Sequence, residues 1–389
     1  MLHTDQRRIR LFAVLVAGCS VSAFGTYLNL VALSLFTWHL TGDASTTGAV
    51  MALRLASGFL SGQIVGRIPP ARRTIMIGSD VAQACAMVVL ALRPGLAVLC
   101  AVAVVMGAGN TFFTVALRTA IPDMVGPHQR TRANGHLVTG RSAGTVLGFA
   151  SAGVLVPAAG YDVAFLVNAA SFLVCAGTLA MLPLDTGGPV RPPTRAAPGG
   201  RTSLVRLLPS AVVGMLVVRG ADALGSASHN VALPIHAPTP AFVSTFWTAW
   251  AVGTFSAHHV ASRWAKRGGG STGERAFAAG TCVMALAFVT AFTGLPTPGL
   301  VLVTFVAGLA DGLTEIGYVS RLQALPDHLR ARAFGLSASV EAGGFAVGML
   351  VAAVALEVFA PLTVVGLFHG TALVTAGAFL LMSQTLRRT

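Results

Sequence analysis

The stretch RRIRLFAVLVAGCSVSAFGTYLNLVALSLF, Arg7 to Phe36, admits two readings that lead to different proteins. Its first half, basic residues then an apolar run ending in Val16-Ala17-Gly18-Cys19, has the form of a bacterial lipoprotein signal. Such a signal has an apolar region of roughly 7–15 residues and then stops. Here the apolar run continues past Cys19 to Phe36, so cleavage would cut one long span in half. The stretch therefore reads as a first transmembrane helix that is retained.

Composition extends that reading to the whole chain. Of 389 residues, 54% are hydrophobic and 10% charged, and mean hydropathy is +0.75. Soluble domains carry about 25% charged residues, so the natural solvent of this chain is lipid. A membrane-crossing helix needs about 20 mostly apolar residues. That ruler gives twelve expected spans: 11–36, 45–66, 74–93, 96–119, 136–157, 162–183, 206–228, 241–263, 275–293, 298–320, 334–357 and 361–384. The five cysteines lie scattered in apolar runs at no metal-like spacing and read as small apolar filler.

The net charge of +13 would suit a nucleic-acid binder, but its distribution argues otherwise. With the N-terminus in the cytoplasm and the spans alternating, the 26 Lys and Arg fall in cytoplasmic segments, except Arg54, Arg141 and Arg219 inside spans and Arg93 in an outer loop. That is the positive-inside pattern, and it places both termini in the cytoplasm. The basic excess faces anionic lipid heads, so no nucleic-acid partner is expected.

The stretch 184–205, rich in Pro, Gly and Arg, reads as a cytoplasmic linker between six-helix bundles at 1–183 and 206–389. The halves share a pattern. Ile121-Pro122-Asp123 with Arg130-Thr131-Arg132-Ala133-Asn134-Gly135 is answered by Leu325-Pro326-Asp327 with Arg330-Ala331-Arg332-Ala333-Phe334-Gly335. At an offset of 200, Gly135, Gly144, Gly148 and Ala152 match Gly335, Gly344, Gly348 and Ala352. Gly140, Gly144, Gly148 and Ala152 recur every four residues, a strip that lets helices approach closely in lipid. The expected fold class is thus an all-α polytopic membrane protein, with 12 transmembrane helices in two halves related by pseudo-two-fold symmetry. Repeats of this kind build many secondary transporters.

The chain resembles the major facilitator superfamily, specifically its drug-exporter branch of macrolide-efflux and enterobactin-exporter proteins. The likeness rests on HLTGDASTTGAVMALRLASGFLSG, on LRTAIPDMV with RTRANGHLVTGRSAGTVLG, and on DVAFLVNAASFLV. Gly135, Gly144, Gly148 and Gly153 fall on the family's fifth-helix antiporter motif, where Phe149 replaces a proline and Ala152 a glycine. The match implies export of small hydrophobic or amphipathic molecules, of drug, antibiotic or siderophore class, across the cell membrane by proton antiport and alternating access. An importer or metabolite permease of the same fold, or a non-transporting receptor or scaffold, remains the alternative.

In GQIVGRIPPARR, the loop after the second span, Gly62, Arg67, Arg72 and Arg73 match the family's cytoplasmic gate, while Gly66 stands where its aspartate belongs. Asp80, at the edge of the third span, is the substitute partner proposed for Arg67. The fourth-helix arginine associated with proton coupling is replaced by Ala103.

Ionisable groups inside a bilayer cost at least ~2.5–3.5 kcal/mol at its centre, so each is a functional candidate. Arg219 and Asp222 are three residues apart and share a face. Asp311 and Glu315 are four apart, and neighbouring carboxylates raise one another's proton affinity, which suits a proton site. The resemblance places the first, fourth, seventh and tenth spans around a cavity, adding Asn29, Asn110 and Thr111 as polar candidates. Arg54, Arg141 and Glu341 are assigned with the glycine strip to packing and gating, with an Arg54–Glu341 bridge expected. No nucleophile-base set, metal cluster or nucleotide loop is evident. The partners expected are a small-molecule substrate and the lipid bilayer. The chain is expected to be a monomer, driven by the proton gradient without a cofactor or metal, and not an enzyme.

Overall fold

The computed structural model describes residues 2–65, 72–125, 130–181, 207–236, 239–266 and 273–385. Among them the chain is helical throughout, with no strand. In order come α1 (Leu2–Thr41), α2 (Ala44–Val65), α3 (Arg72–Leu92) and α4 (Leu96–Val125). The next stretch, Arg130–Ala180, is far longer than a bilayer is thick, and it breaks at Gly160, whose φ of 86° and ψ of 174° end helical geometry. Its two arms are α5 (130–159) and α6 (161–180). The positive φ suits a residue without Cβ. Then follow α7 (Ser210–His236), α8 (Pro240–Lys266), α9 (Glu274–Ala291), α10 (Thr297–Gln323), α11 (Asp327–Ala355) and α12 (Pro361–Thr385). Nine described stretches, the α5–α6 pair counted as one, are long and apolar enough to cross a membrane.

Helix α1 starts well before the expected span, because the basic segment ahead of Leu11 continues the helix instead of forming a loop. Arginine is a good helix former. The linker expected at 184–205 and Arg67 lie outside the described residues.

Contacts divide the chain into two compact units. The first gathers the described residues of Met1–Gly42, Val50–Ala196 and Thr239–Ser244; the second those of Asp43–Ala49, Ala197–Pro238 and Thr245–Thr389. In the first unit, Gly144 and Gly148 of α5 press directly on the backbone carbonyls of Ser20 and Phe24 in α1. In the second, Gly344 and Gly348 of α11 meet Gly220, Ala223, Leu224 and Ala227 in α7. The carbonyls concerned, Ser20 with Gly220 and Phe24 with Leu224, stand 200 residues apart, so the repeat extends into α1 and α7. Gly153 abuts Ser244, whose hydroxyl donates to the Phe149 carbonyl at 2.5 Å. Gly335 departs from the expected packing strip, since a Cβ there would meet open space. Gly135 is helical.

Helix α2 begins on a side-chain cap. Asp43 Oδ2 accepts the Thr46 backbone N–H at 2.6 Å and the Thr46 hydroxyl. These bonds hold the Asp43 carboxyl below the usual carboxylate range. A depressed folded-state value adds stability above the unfolded-state value, lost as pH falls through the folded one. We therefore expect Asp43→Ala to lower stability by about 1 kcal/mol at neutral pH. The difference from the parent should vanish in acid, and Asp43→Asn should keep most of the cap. Thermal unfolding in detergent across pH reads all three.

Candidate functional site

Helix α7 carries Arg219 near its middle, and three carboxylates from three helices converge on that guanidinium. Arg219 Nη2 donates to Glu315 Oε2 of α10 at 2.5 Å. Its Nη1 lies 3.6 Å from Asp222 Oδ2, one turn along α7, and its Nε 3.4 Å from Glu341 Oε1 of α11. Asp311 stands one turn from Glu315, within the field of Arg219, and its carboxylate accepts a hydrogen bond from the Trp250 side chain. A second tier fixes the array. Tyr318 O–H donates to Ser337 Oγ at 2.7 Å, and Ser337 donates to Glu341 at 2.8 Å. The guanidinium carbon lies 5.6 Å from the centroid of the Tyr318 ring, within cation–π range.

Four carboxylates thus surround one guanidinium inside the second unit. Coulomb attraction satisfies one of them fully, and the rest raise the cost of keeping every acid ionised in a low-dielectric interior. Chemically, such a cluster takes up cations or protons. The Glu315 side chain is 48% exposed, against 8% for Asp222, so the cluster is reached from the Glu315 side. Glu341, expected to bridge to Arg54, is instead held inside its own unit by Arg219 and Ser337. The spacing along α11 does not reveal this, because tertiary packing alone, including the glycine contacts, brings α7 beside α11.

The first unit holds a cavity of about 160 Å³. Arg54 of α2, Arg141 of α5, Asp80 of α3 and Asn110 of α4 line it, beside the aromatic rings of Tyr27 and Phe113. Among the described residues, Arg54 Nη1 is buried there without a hydrogen-bond partner. Asp80 is not an edge residue of α3 as expected. It lies eight residues inside a helix that already begins at Arg72, is 1% exposed, and leaves Oδ2 without a partner. Among the described residues its carboxyl meets the Cys175 thiol. Arg73 Nη2 donates to the Ala180 carbonyl at the end of α6.

The remaining polar candidates separate. Asn29 is fully buried, with both side-chain polar atoms lacking partners. Thr111 donates to the Gly107 carbonyl of its own helix at 3.2 Å, and its side chain packs against Gly58 and Gly62 of α2.

One functional-looking pair escaped the sequence reading. His229 of α7 and His369 of α12 are buried, with Nδ1 and Nε2 3.1 Å apart and rings 3° from parallel. Phe288 stacks on His229 at 4.2 Å. The signal was present, since a histidine within an apolar span is itself an intramembrane ionisable group.

Long apolar helices with charged clusters buried among them define a polytopic membrane protein. The family profile described as Major Facilitator Superfamily matches residues 10–255, and the chain belongs to that superfamily. No curated protein matches it by sequence. Among solved structures, the peptide transporter POT in complex with sulfate superposes with a TM-score of 0.77, over 97% of this chain and 95% of its own, at 16% identity. The nucleoside transporter NupG gives 0.71 over 96% and 98%, at 15% identity. At such identity the likeness concerns the fold.

Proposed function

We propose that the protein is a proton-coupled exporter of small hydrophobic or amphipathic molecules, with the Arg219 cluster as its proton-responsive element. The observation that supports this is the excess of acid around Arg219: Asp222, Asp311, Glu315 and Glu341 share one guanidinium. A proton on one of these carboxylates relieves their mutual repulsion, and so does an amphipathic cargo that carries a positive charge. The two occupancies therefore exclude each other, which is the thermodynamic requirement for exchange. The fifth-helix glycines Gly135, Gly144, Gly148 and Gly153 support export by resemblance to the antiporter motif. By the same reading both termini lie in the cytoplasm, the protein works as a monomer by alternating access, and it needs no cofactor.

The test uses cells stripped of other efflux pumps, loaded with a panel of amphipathic dyes. Expression should lower dye accumulation, and an uncoupler should abolish the difference. Glu315→Gln and Asp311→Asn should each blunt the response to the proton gradient. Undiminished proton dependence in both variants would remove the cluster from the coupling role. Uptake instead of expulsion would support an importer, a reading that the peptide and nucleoside transporters of like fold make worth measuring.

A further inference from the structure

The cavity of the first unit and the ion cluster of the second occupy equivalent places in the repeat. Cys19, Ser22 and Arg141 line the cavity, and 200 residues on stand Arg219, Asp222 and Glu341, the heart of the cluster. The offset is the one set by the glycine contacts of α5 on α1 and of α11 on α7. In the second unit the protein supplies both charges: a central arginine and the carboxylates that surround it. In the first, the central position is the small Cys19, the glutamate position is Arg141, and Arg54 adds a second guanidinium. Among the described residues, no ion pair joins either arginine to Asp80, and the buried Arg54 Nη1 and Asp80 Oδ2 both lack partners. Two guanidiniums against one buried carboxyl leave the cavity short of negative charge.

We propose that this cavity is a binding site for a small organic monoanion, an aromatic carboxylate carrying a hydrogen-bond donor. Its carboxylate takes the place at Arg54 and Arg141 that the protein's own acids take around Arg219. Guanidinium and carboxylate match in a forked, charge-assisted geometry. The donor answers the unpartnered Asp80 oxygen. Tyr27, Phe113 and Phe172 supply apolar walls for a ring. The volume of about 160 Å³ lies below the ~300–1,000 Å³ of pockets for drug-sized ligands, so the ligand is small. The site is independent of the Arg219 cluster and of the direction of transport.

The probe is 4-hydroxybenzoate, titrated calorimetrically into the purified full-length protein in detergent, with 4-hydroxybenzamide as its uncharged isostere. The acid should bind saturably at one site per chain, and the amide about tenfold more weakly or worse. Arg54→Gln and Arg141→Gln, each first checked for monodisperse elution, should lose affinity by a similar factor. The comparison of acid with amide needs no variant, so a misfolded substitution leaves the test intact. The proposal is overturned by absence of saturable acid binding, by equal binding of acid and amide, or by undiminished binding in both folded arginine variants.

Discussion

Arg219→Met is expected to abolish transport and to lower the melting temperature of the purified protein. The guanidinium contacts carboxylates from α7, α10 and α11 at 3.6, 2.5 and 3.4 Å, so its loss removes the attraction that draws those helices together. It also leaves Asp222, with only 8% of its side chain exposed, as a buried acid without a counter-charge. Removing one member of a buried ion pair typically costs about 3–5 kcal/mol, because the other stays desolvated. Glu315 and Glu341, at 48% and 37% exposure, rehydrate and contribute much less. Most of the loss should therefore run through Asp222.

That partition makes the result decisive. Adding Asp222→Asn to Arg219→Met should restore most of the stability, since the stranded charge is gone, but not transport. Arg219→Lys keeps a charge but one compact head cannot reach three carboxylates in a fork, so it should be intermediate in both. If Arg219→Met transported normally with its proton dependence intact, the cluster would be structural and the coupling site would lie elsewhere.

How far the sequence carried the reading depends on the range of each interaction. Span positions were legible because a helix must bury its own backbone bonds across about 30 Å of hydrocarbon, which fixes apolar run length without reference to any neighbour. The turn at Gly160 fell in the expected gap between the spans 136–157 and 162–183 for the same reason. The four-residue rhythm of Gly144 and Gly148 was legible too, because one helix face is a local property. Which helix that face meets was not. Glu341 meets the guanidinium of Arg219 on α7, and nothing in the spacing of α11 names that neighbour. The sequence reads Asp80 as an edge residue of a span that begins near 74, but α3 begins at Arg72 and carries Asp80 eight residues inside. His229 and His369 are 140 residues apart, and only packing brings them to 3.1 Å.

Gly148→Val should be strongly damaging although it touches no charged group. A Cβ at Gly148 would fall on the Phe24 carbonyl oxygen and within 3.0 Å of the Leu28 nitrogen. Both are backbone atoms of α1, which cannot rotate aside, so α1 and α5 must separate along their length. Overpacking a core against yielding side chains costs about 1–3 kcal/mol; against a rigid helix backbone the cost lies at or beyond the top of that range. Lipid offers no hydrophobic drive to push the helices back together, since close packing is what associates them. We expect aggregation on extraction and little monodisperse protein. Gly348→Val, at the equivalent place in the second unit, should be milder, because its nearest neighbour is the Ala227 methyl at 2.7 Å, with the Leu224 carbonyl at 3.1 Å. Gly366→Ala on α12 is the control: nothing lies within 4 Å of its added methyl, and the gain in helix propensity should stabilise by up to about 1 kcal/mol. Elution profiles and melting temperatures of the three variants should rank in that order, and a Gly148→Val protein as stable as the parent would mean that α1 and α5 are not in backbone contact.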